Sequence, residues 1–479
     1  MQKEFLKNIF FLLIINVLIK PIYIIGIDAQ VQNQVGDSEY GLYFAIFDFC
    51  FLFQVILDLG IQNYNSKYVS ENREKLSQHF AYVLGLKVTL LILFLASIFL
   101  AAFLLGYPSS YYPIIGYMGV IMTFQTFYVY LRSHFSALGY FRLDSWLSIV
   151  DKLLMIGFVG VLLYLIKDIS IVKFMYAQIA ALVISVIIAF VLLSLKFRLS
   201  IKFSIREWRS LLKNSLPFAL VFILMTLYTR MDGVMLERLL DDDAQSAGYY
   251  AKGFRLMDAA NMIGYLFAML LLPMYARLMH EKKTVTTLLS TAAQIQFCIT
   301  TIISIACWFY AADILNLIYT NVNDEIVRSF QLLMISFWMM AMSYIYGSLI
   351  TATGKLRTFN LIFILGIVIN WSLNLWLIPQ YMAVGAAVAT LITQVFVFGG
   401  QYTLVQYRFD ISWNRQVVCK TLLLLGIYFA LGYTLYHIVE LDALLELGIF
   451  VILSIIISFL VGFLRFNSSV LVPETTIRF

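Results

Sequence analysis

The sequence predicts an all-α protein that crosses a lipid bilayer about fourteen times and carries almost no soluble domain. Three observations support this fold class. Of the 479 residues, 62% are apolar and only 13% are charged, and the mean hydropathy is +0.88. Soluble domains are roughly 45–50% apolar and about 25% charged, so the excess apolar surface must face lipid. Apolar runs of membrane-spanning length recur along the chain, and basic residues are concentrated in every second loop.

Each predicted helix corresponds to an apolar run close to the ~20 residues that cross a bilayer. The first run, 5–28, is followed by no small-residue cleavage site, so we expect it to remain as a span. The run at 287–319 is long for one span and is expected to be tilted or to extend beyond the bilayer. The predicted helices cover residues 5–28, 41–62, 81–106, 111–136, 144–166, 171–195, 214–238, 247–276, 287–319, 327–350, 358–378, 382–406, 416–438 and 443–465.

Loop charges predict the orientation, because short cytoplasmic loops collect Lys and Arg. With the N-terminus inside, the outer loops hold only Lys167, Lys173, Arg238 and Arg328, and they carry acids such as Asp241 to Asp243. One missed or invented helix would scramble this alternation downstream. We therefore predict that both termini are cytoplasmic.

An internal repeat predicts two lobes. The string Leu-Lys-Asn precedes the first and the seventh predicted helix, at 6–8 and 212–214, and related aromatic strings with a glycine open the second and the eighth, at 40–45 and 247–251. The offset is 206–207 residues in both pairs, and six helices separate the copies, so both insert the same way up. The predicted organisation is an N-terminal lobe of helices 1 to 6, a basic cytoplasmic linker, a C-terminal lobe of helices 7 to 12, and helices 13 and 14 with a tail, at 1–195, 196–213, 214–406 and 407–479.

The linker at 196–213 alternates basic and apolar residues. It has two interpretations. One is a solvated basic connection that obeys the positive-inside rule. The other is a segment that lies on the anionic cytoplasmic leaflet.

Charges inside the predicted helices mark candidate functional residues. A charge at the bilayer centre costs about 2.5–3.5 kcal/mol, so it usually faces the protein interior. Most of these charges fall in the first two helices of each predicted repeat and in helix 5. Helix 3 has only Lys87, near its cytoplasmic end, where the ammonium is expected to reach the interface. The others are Lys20, Asp48, Asp58, Asp151, Lys152, Arg230, Asp232, Lys252, Arg255 and Asp258.

These charges also have two interpretations. Arg230, Lys252 and Arg255 lie at comparable depths in adjacent helices, so their cations can converge on one anionic group in a water-filled cavity. Alternatively, they form internal ion pairs, Arg255 with Asp258 and Lys152 with Asp151 or Asp58. The sequence leaves both open.

Several functions find no support in the sequence. No glycine-rich nucleotide loop is present. Four His and four Cys residues in no ligand-like spacing predict neither a metal site nor a catalytic centre. The net charge of +6 is spread over many loops, so nucleic-acid binding is not expected. The outer loops are short, which argues against a membrane enzyme.

Three stretches carry a family resemblance. They are the string Glu39 to Asn63 around helix 2, the string Leu216 to Ala259 with its Thr-Arg-Met-Asp segment, and the string Thr351 to Thr390 with its paired asparagines. In order and spacing they resemble polysaccharide flippases of the O-antigen (Wzx) type. Those flippases belong to the multidrug/oligosaccharidyl-lipid/polysaccharide (MOP) exporter superfamily.

The resemblance implies two pseudo-symmetric six-helix lobes of the MATE-like type plus two C-terminal helices. It implies flipping of a polyprenyl-diphosphate-linked oligosaccharide across a bacterial cytoplasmic (inner) membrane by alternating access. No covalent chemistry and no cofactor are implied, apart from a coupling ion, Na⁺ or H⁺. The implied partners are membrane lipids, a polysaccharide polymerase and glycosyltransferases.

By position, the resemblance also assigns roles to the buried charges. The implied substrate-binding cations are Lys20, Lys152, Arg230, Lys252 and Arg255. The implied gating or ion-coupling acids are Asp48, Asp151, Asp232 and Asp258. Two other functions stay open, a MATE-like multidrug/cation antiporter, which predicts an acid-dominated cavity, and a membrane glycan polymerase or ligase, which predicts an ordered outer-face cluster.

Overall fold

The computed structural model describes residues 19, 21–71, 76–195, 197, 200–354, 356–409, 415–439 and 441–464. All regular secondary structure in these residues is helical. Helices α1 to α8 are Ala29–Val35, Asp37–Phe53, Val55–Asp58, Ile61–Glu71, Leu76–Leu104, Tyr112–Ala137, Phe141–Gly160 and Ile171–Ser194. Helices α9 to α17 are Ile205–Thr229, Met231–Leu239, Gln245–His280, Thr286–Phe309, Ala311–Ile318, Asp324–Ala352, Arg357–Phe409, Arg415–Ile438 and Ala443–Leu460.

Eleven helical segments in the described part of the chain are long and apolar enough to cross a membrane. One of them, α15, contains two predicted spans, 358–378 and 382–406, which meet at the non-helical backbone of Met382 (φ 49°, ψ −127°). The predicted first helix lies mostly outside the described residues. The predicted seventh helix is observed as α9 and α10, which are not among the eleven. Twelve of the fourteen predicted spans therefore fall in these eleven segments, and the predicted seventh span is divided between α9 and α10.

The long run at 287–319 forms two helices. Helix α12 ends at Phe309, and the short helix α13 starts at Ala311 after a backbone bend at Tyr310 (φ −97°, ψ 25°). The run is therefore one span-length helix followed by a separate helix of eight residues, and it is not a single tilted span.

The contacts divide the chain into two compact units. The first consists of Met1–Ala251 together with Asn374–Met382, and the second consists of Lys252–Leu373 together with Ala383–Phe479. In the first unit, α6 packs on α8, and both bury apolar faces. In the second unit, α12 packs on α14, and both α16 and α17 contact α12.

Within the first unit, α2 crosses the first turns of α11 through two glycines that are equivalent in the predicted repeat. A Cβ on Gly41 would overlap the carbonyl oxygen of Ala244, and a Cβ on Gly248 would overlap the carbonyl oxygen of Asp37. The two contacts are exchanged when 207 is added to or subtracted from the residue numbers. Such reciprocity is the signature of two-fold related contacts. It agrees with the offset found in the sequence.

The predicted second helix is broken in the first unit. Helices α2, α3 and α4 follow one another, and Leu59 (φ 44°) and Gly60 (φ 76°) both adopt left-handed backbone between α3 and α4. That conformation is unusual for a residue with a branched side chain. The break lies beside the ion pair of Lys87 with Asp58, the last residue of α3.

Candidate functional site

Three buried or nearly buried charges of the first unit lie where α2 meets the junction of α9 and α10. Asp48 is in the buried part of α2, and Arg230 is the residue at which α9 ends, with non-helical backbone (φ −121°, ψ −2°). Arg230 Nη1 lies 3.5 Å from Asp48 Oδ1. The side chain of Asp48 is 2% exposed and that of Arg230 is 16% exposed. The carboxylate is therefore the more deeply buried partner, and it contacts the guanidinium from the interior side.

Arg230 also contacts two aromatic rings. Its guanidinium carbon lies 5.0 Å from the ring centre of Phe51 and 5.9 Å from that of Phe47, both on α2. A guanidinium stacks on ring faces and has five N–H donors in one plane. Carboxylate and rings together hold this plane in one orientation within an apolar helix bundle, as anion recognition requires.

A second buried carboxylate follows two residues later. Asp232, in the first turn of α10, accepts a hydrogen bond from the hydroxyl of Tyr250 at 2.7 Å and another from the amide of Asn374 at 2.6 Å. All three belong to the first unit, since the segment Asn374–Met382 packs with it. Asp232 is 1% exposed. A carboxylate with two directed donors is a defined polar centre in this apolar interior.

Gly233 brings these two centres together. A Cβ at this position would lie 2.5 Å from Asp48 Oδ2 and 2.8 Å from the ring of Phe44. Only a glycine lets α10 approach α2 so closely. The sequence Arg230-Met-Asp-Gly233 therefore encodes a cation, a buried acid and the close approach that joins them to Asp48.

Three polar contacts near the same helices were not predicted from the sequence. Asp28, 3% exposed, accepts a hydrogen bond of 2.6 Å from the Tyr40 hydroxyl. Gln32 donates to the carbonyl oxygen of Gly248 at 2.8 Å and to Asp37 at 2.9 Å. A signal was available for Tyr40 and Gly248, because both lie in the repeated strings. None was available for Gln32.

The remaining predicted cations have their own contacts. Lys252, 1% exposed and in the second unit, donates to the carbonyl oxygens of Thr320 at 3.1 Å and Asn321 at 3.4 Å, and its ammonium lies 5.6 Å from the Tyr319 ring centre. These contacts fasten the connection between α13 and α14. Arg255 and Asp258 follow Lys252 on α11 and are half-buried.

Lys152 and Asp151 form an ion pair of 3.3 Å, as one of the two interpretations predicted. The ammonium of Lys152 also lies 4.9 Å from the ring centre of Tyr23. Lys20 lies outside the described residues.

The expectation that the Lys87 ammonium reaches the membrane interface is wrong. The side chain of Lys87 is 7% exposed, and its ammonium lies 3.1 Å from both Asp58 Oδ1 and the carbonyl oxygen of Leu57. The Asp58 carboxylate also accepts from the backbone N–H of Gln62 at 3.3 Å. Ion pairing at the helix break keeps the ammonium inside. The observed partner of Asp58 is therefore Lys87 and not Lys152, which the sequence had offered as a candidate. Lys87 also lines a cavity of about 280 Å³.

In the described part of the chain, no three His, Cys, Asp or Glu side chains are grouped as metal ligands would be. The arrangement in the first unit consists of one Arg side chain and two buried carboxylates. Its polar groups are held by hydrogen bonds and ring contacts.

Comparison with known proteins identifies the family. The model of a family described as polysaccharide biosynthesis protein matches residues 5–279, which is more than half of the chain. The chain belongs to this polysaccharide biosynthesis protein family. No curated protein matches the sequence. The family match includes α2, α9 and α10, and therefore Asp48, Arg230 and Asp232.

Solved structures agree on the fold. The lipid II flippase MurJ in an inward closed conformation is 13% identical, with a TM-score of 0.73 and 98% of each chain covered. An inward-facing MATE family multidrug resistance transporter of the MOP superfamily is 14% identical, with a TM-score of 0.64 over 84% of this chain and 99% of the other. A MOP superfamily transporter from Pyrococcus furiosus, whose description notes a reversed polarity of the binding pocket, is 14% identical, with a TM-score of 0.58 over 85% and 97%.

These findings confirm the resemblance and the fold class drawn from the sequence. The protein is a multi-pass helical membrane protein of the polysaccharide biosynthesis family, with the fold of MOP superfamily flippases and transporters. The lobe boundaries and the roles of the individual charges remain predictions.

Proposed function

We propose that this protein flips a polyprenyl-diphosphate-linked oligosaccharide, such as an O-antigen or another surface polysaccharide unit, across the bacterial inner membrane. The family and the fold support the class of function. The observation that carries the substrate proposal is Arg230, an intramembrane guanidinium oriented by Asp48 and two rings. The N- and C-termini are proposed to be cytoplasmic, in line with the loop charges.

A diphosphate is the part of such a substrate that most needs a protein partner inside a membrane. Its charge is costly in an apolar interior, and a planar guanidinium binds phosphate oxygens through two parallel N–H donors. While no substrate is bound, Asp48 offsets part of the desolvation free energy of burying Arg230. An arriving diphosphate then competes with Asp48 for the guanidinium, which links substrate binding to a rearrangement between α2 and the α9–α10 junction.

The second acid of the site is proposed to couple the cycle to an ion. Asp232 is nearly inaccessible and is held by Tyr250 and Asn374. Gain or loss of a proton, or of Na⁺, changes the charge at this centre next to Arg230. Intramembrane carboxylates commonly serve in this way. The cycle is proposed to proceed by alternating access.

Other predicted residues enter the proposal in supporting roles. Lys20, Lys152 and Arg255 are proposed as further contacts for the diphosphate or for acidic sugars, whereas Lys252, whose ammonium binds two backbone carbonyls, is proposed to have a structural role. Asp151 and Asp258 are proposed as gating acids. A polysaccharide polymerase and glycosyltransferases are proposed to act after and before this step.

A MATE-like multidrug/cation antiporter is the second candidate. It is favoured by the buried acids of the first unit, Asp28, Asp48 and Asp232, and by the MATE structures that share the fold. It is disfavoured by Arg230, which repels a cationic drug beside the same acids. A membrane glycan polymerase or ligase is weaker, because the connections on the predicted outer side are short, at 105–111, 167–170, 240–244 and 319–323.

A depletion experiment tests the proposal in cells. Loss of the protein should cause lipid-linked oligosaccharide to accumulate while surface polysaccharide disappears, and sensitivity to cationic drugs should stay unchanged. Wild-type protein should restore export, and Arg230→Gln should not. Drug sensitivity without a glycan defect would instead establish the antiporter.

A further inference from the structure

The segment 200–213 has an unusual combination of exposed side chains. Three large apolar residues face outward, with Ile201 54% exposed, Phe203 64% and Ile205 81%. The same short segment carries four basic residues and one acidic residue. A connection that is only solvated has no reason to present three large apolar side chains to water.

The apolar and basic side chains are sorted by the backbone. The chain is extended before α9 (Ser204 φ −154°, ψ 108°), so Ile201 and Phe203 point to one side and Lys202 to the other. Once α9 has started, the exposed Arg206, Arg209 and Lys213 follow at positions i, i+3 and i+7. That spacing places them along one face of the helix.

The segment is fixed to the transmembrane helix α5. The backbone N–H of Lys202 donates to the carbonyl oxygen of Ala81 at 2.9 Å, and the indole N–H of Trp208 donates to the carbonyl oxygen of Tyr82 at 3.0 Å. The ring of Trp208 packs edge-on against Phe203, and Leu211 is buried in the core beneath. The exposed residues are therefore presented by a docked support.

The position of this support matches the membrane interface. Ala81 is the first residue of the predicted span 81–106, whose start faces the predicted cytoplasmic side. Interfacial segments bury their apolar side chains to about 5–10 Å, at the boundary between headgroups and acyl chains. The predicted orientation therefore places the outward apolar residues at the level of the headgroup boundary, with the basic face of α9 beside it.

We propose that residues 200–213 form a binding site for anionic phospholipid. Arg206, Arg209 and Lys213 bind the headgroup phosphates, and Ile201, Phe203 and Ile205 enter the acyl region. The charge complementarity and the apolar triplet favour a lipid over a protein partner, which would leave the charges at the interface only partly matched. Because α9 continues from this segment to Arg230, bound lipid also fixes the start of the helix that carries the candidate site.

The test uses the full-length protein in vesicles, with a fluorophore on Phe203→Cys and the exposed Cys419 replaced by Ser. Quenching is titrated with brominated phosphatidylglycerol or brominated phosphatidylcholine in unbrominated phosphatidylcholine. We expect half-quenching at about fivefold lower content of the anionic lipid. The Arg206→Gln/Arg209→Gln/Lys213→Gln variant should lose this preference, whereas Arg206→Lys/Arg209→Lys, which keeps all three charges, should keep most of it.

The matched control is Arg142→Gln/Lys282→Gln/Arg357→Gln, which removes the same charge from exposed positions elsewhere. It should retain the wild-type preference. The proposal is overturned if the control and the linker variant lose the preference equally, or if the wild type shows none. It is also overturned if iodide in water quenches the probe and neither brominated lipid does, because the segment would then be solvated or covered by protein.

Discussion

The guanidinium of Arg230 lies 3.5 Å from the carboxylate of Asp48 and joins the end of α9 to the buried part of α2. The two residues are 182 positions apart in the chain. Neither the pattern of hydropathy nor the spacing of charges pairs them. The pair joins two of the helices in which the sequence analysis finds buried charge, one from each predicted repeat.

The Arg230–Asp48 pair makes a double-variant prediction. Arg230→Met alone should lower the free energy of unfolding by about 3–5 kcal/mol, because Asp48 is left buried without its cation. The combination Arg230→Met/Asp48→Asn should regain most of that stability yet still fail in export. Thermal unfolding in detergent and surface glycan staining are the two measurements. Normal export by the stable double variant would reduce Arg230 to a structural role.

Gly233 makes a prediction about close packing. Gly233→Ala should destabilise the protein by about 1–3 kcal/mol and weaken export, since the added methyl displaces Asp48 and Phe44. The control is Gly157→Ala on α7, where a Cβ meets nothing within 4 Å. Unfolding midpoints of the two variants provide the comparison. Equal midpoints would mean that the approach of α10 to α2 is not constrained at Gly233.

Lys252 allows its two roles to be separated. Its contacts with the carbonyls of Thr320 and Asn321 predict that Lys252→Met costs about 1–3 kcal/mol of stability, while export per folded molecule stays near the wild-type level. Quantitative blotting of folded protein alongside glycan export measures both. A stable, abundant Lys252→Met protein that exports nothing would instead place Lys252 among the substrate-binding residues.

The Lys87–Asp58 pair predicts a coupled energetic effect at the helix break. Lys87→Met and Asp58→Asn should each destabilise the protein, and the double variant should be less destabilised than the sum of the two single changes. Unfolding of the four proteins completes the cycle. Strict additivity would show that the two side chains do not stabilise the break together.

The sequence predicts the helices well because each lipid-spanning helix requires a continuous run of about 20 apolar residues. Span length and loop charge can be read from short stretches of the chain. The repeat can be found by comparing strings that lie 206–207 residues apart. The boundary between α9 and α10 was not predicted, since Arg230 interrupts what the sequence presents as one helix at 214–238. The same is true of the break at Leu59, where the only visible mark is the adjacent Gly60.

Partners of buried charges are harder to predict than their positions. The sequence identifies Asp48, Arg230 and Asp232 as unusual, because few charges occur in such helices. It does not identify Asn374 as the donor to Asp232, since 142 positions separate them and the hydrogen bond follows from how the segment after α14 packs. For the same reason it cannot choose Lys87 over Lys152 as the partner of Asp58.

The central claim is that the protein flips a lipid-linked oligosaccharide through an Arg230-dependent step. Its most direct measurement reconstitutes the purified protein in vesicles with the lipid-linked oligosaccharide pool of its own host and follows the fraction open to an enzyme that attacks only the outer leaflet. Wild-type protein should render the inner-leaflet fraction accessible, and the stable Arg230→Met/Asp48→Asn variant should leave it protected. Equal accessibility in protein-free, wild-type and variant vesicles would contradict the account.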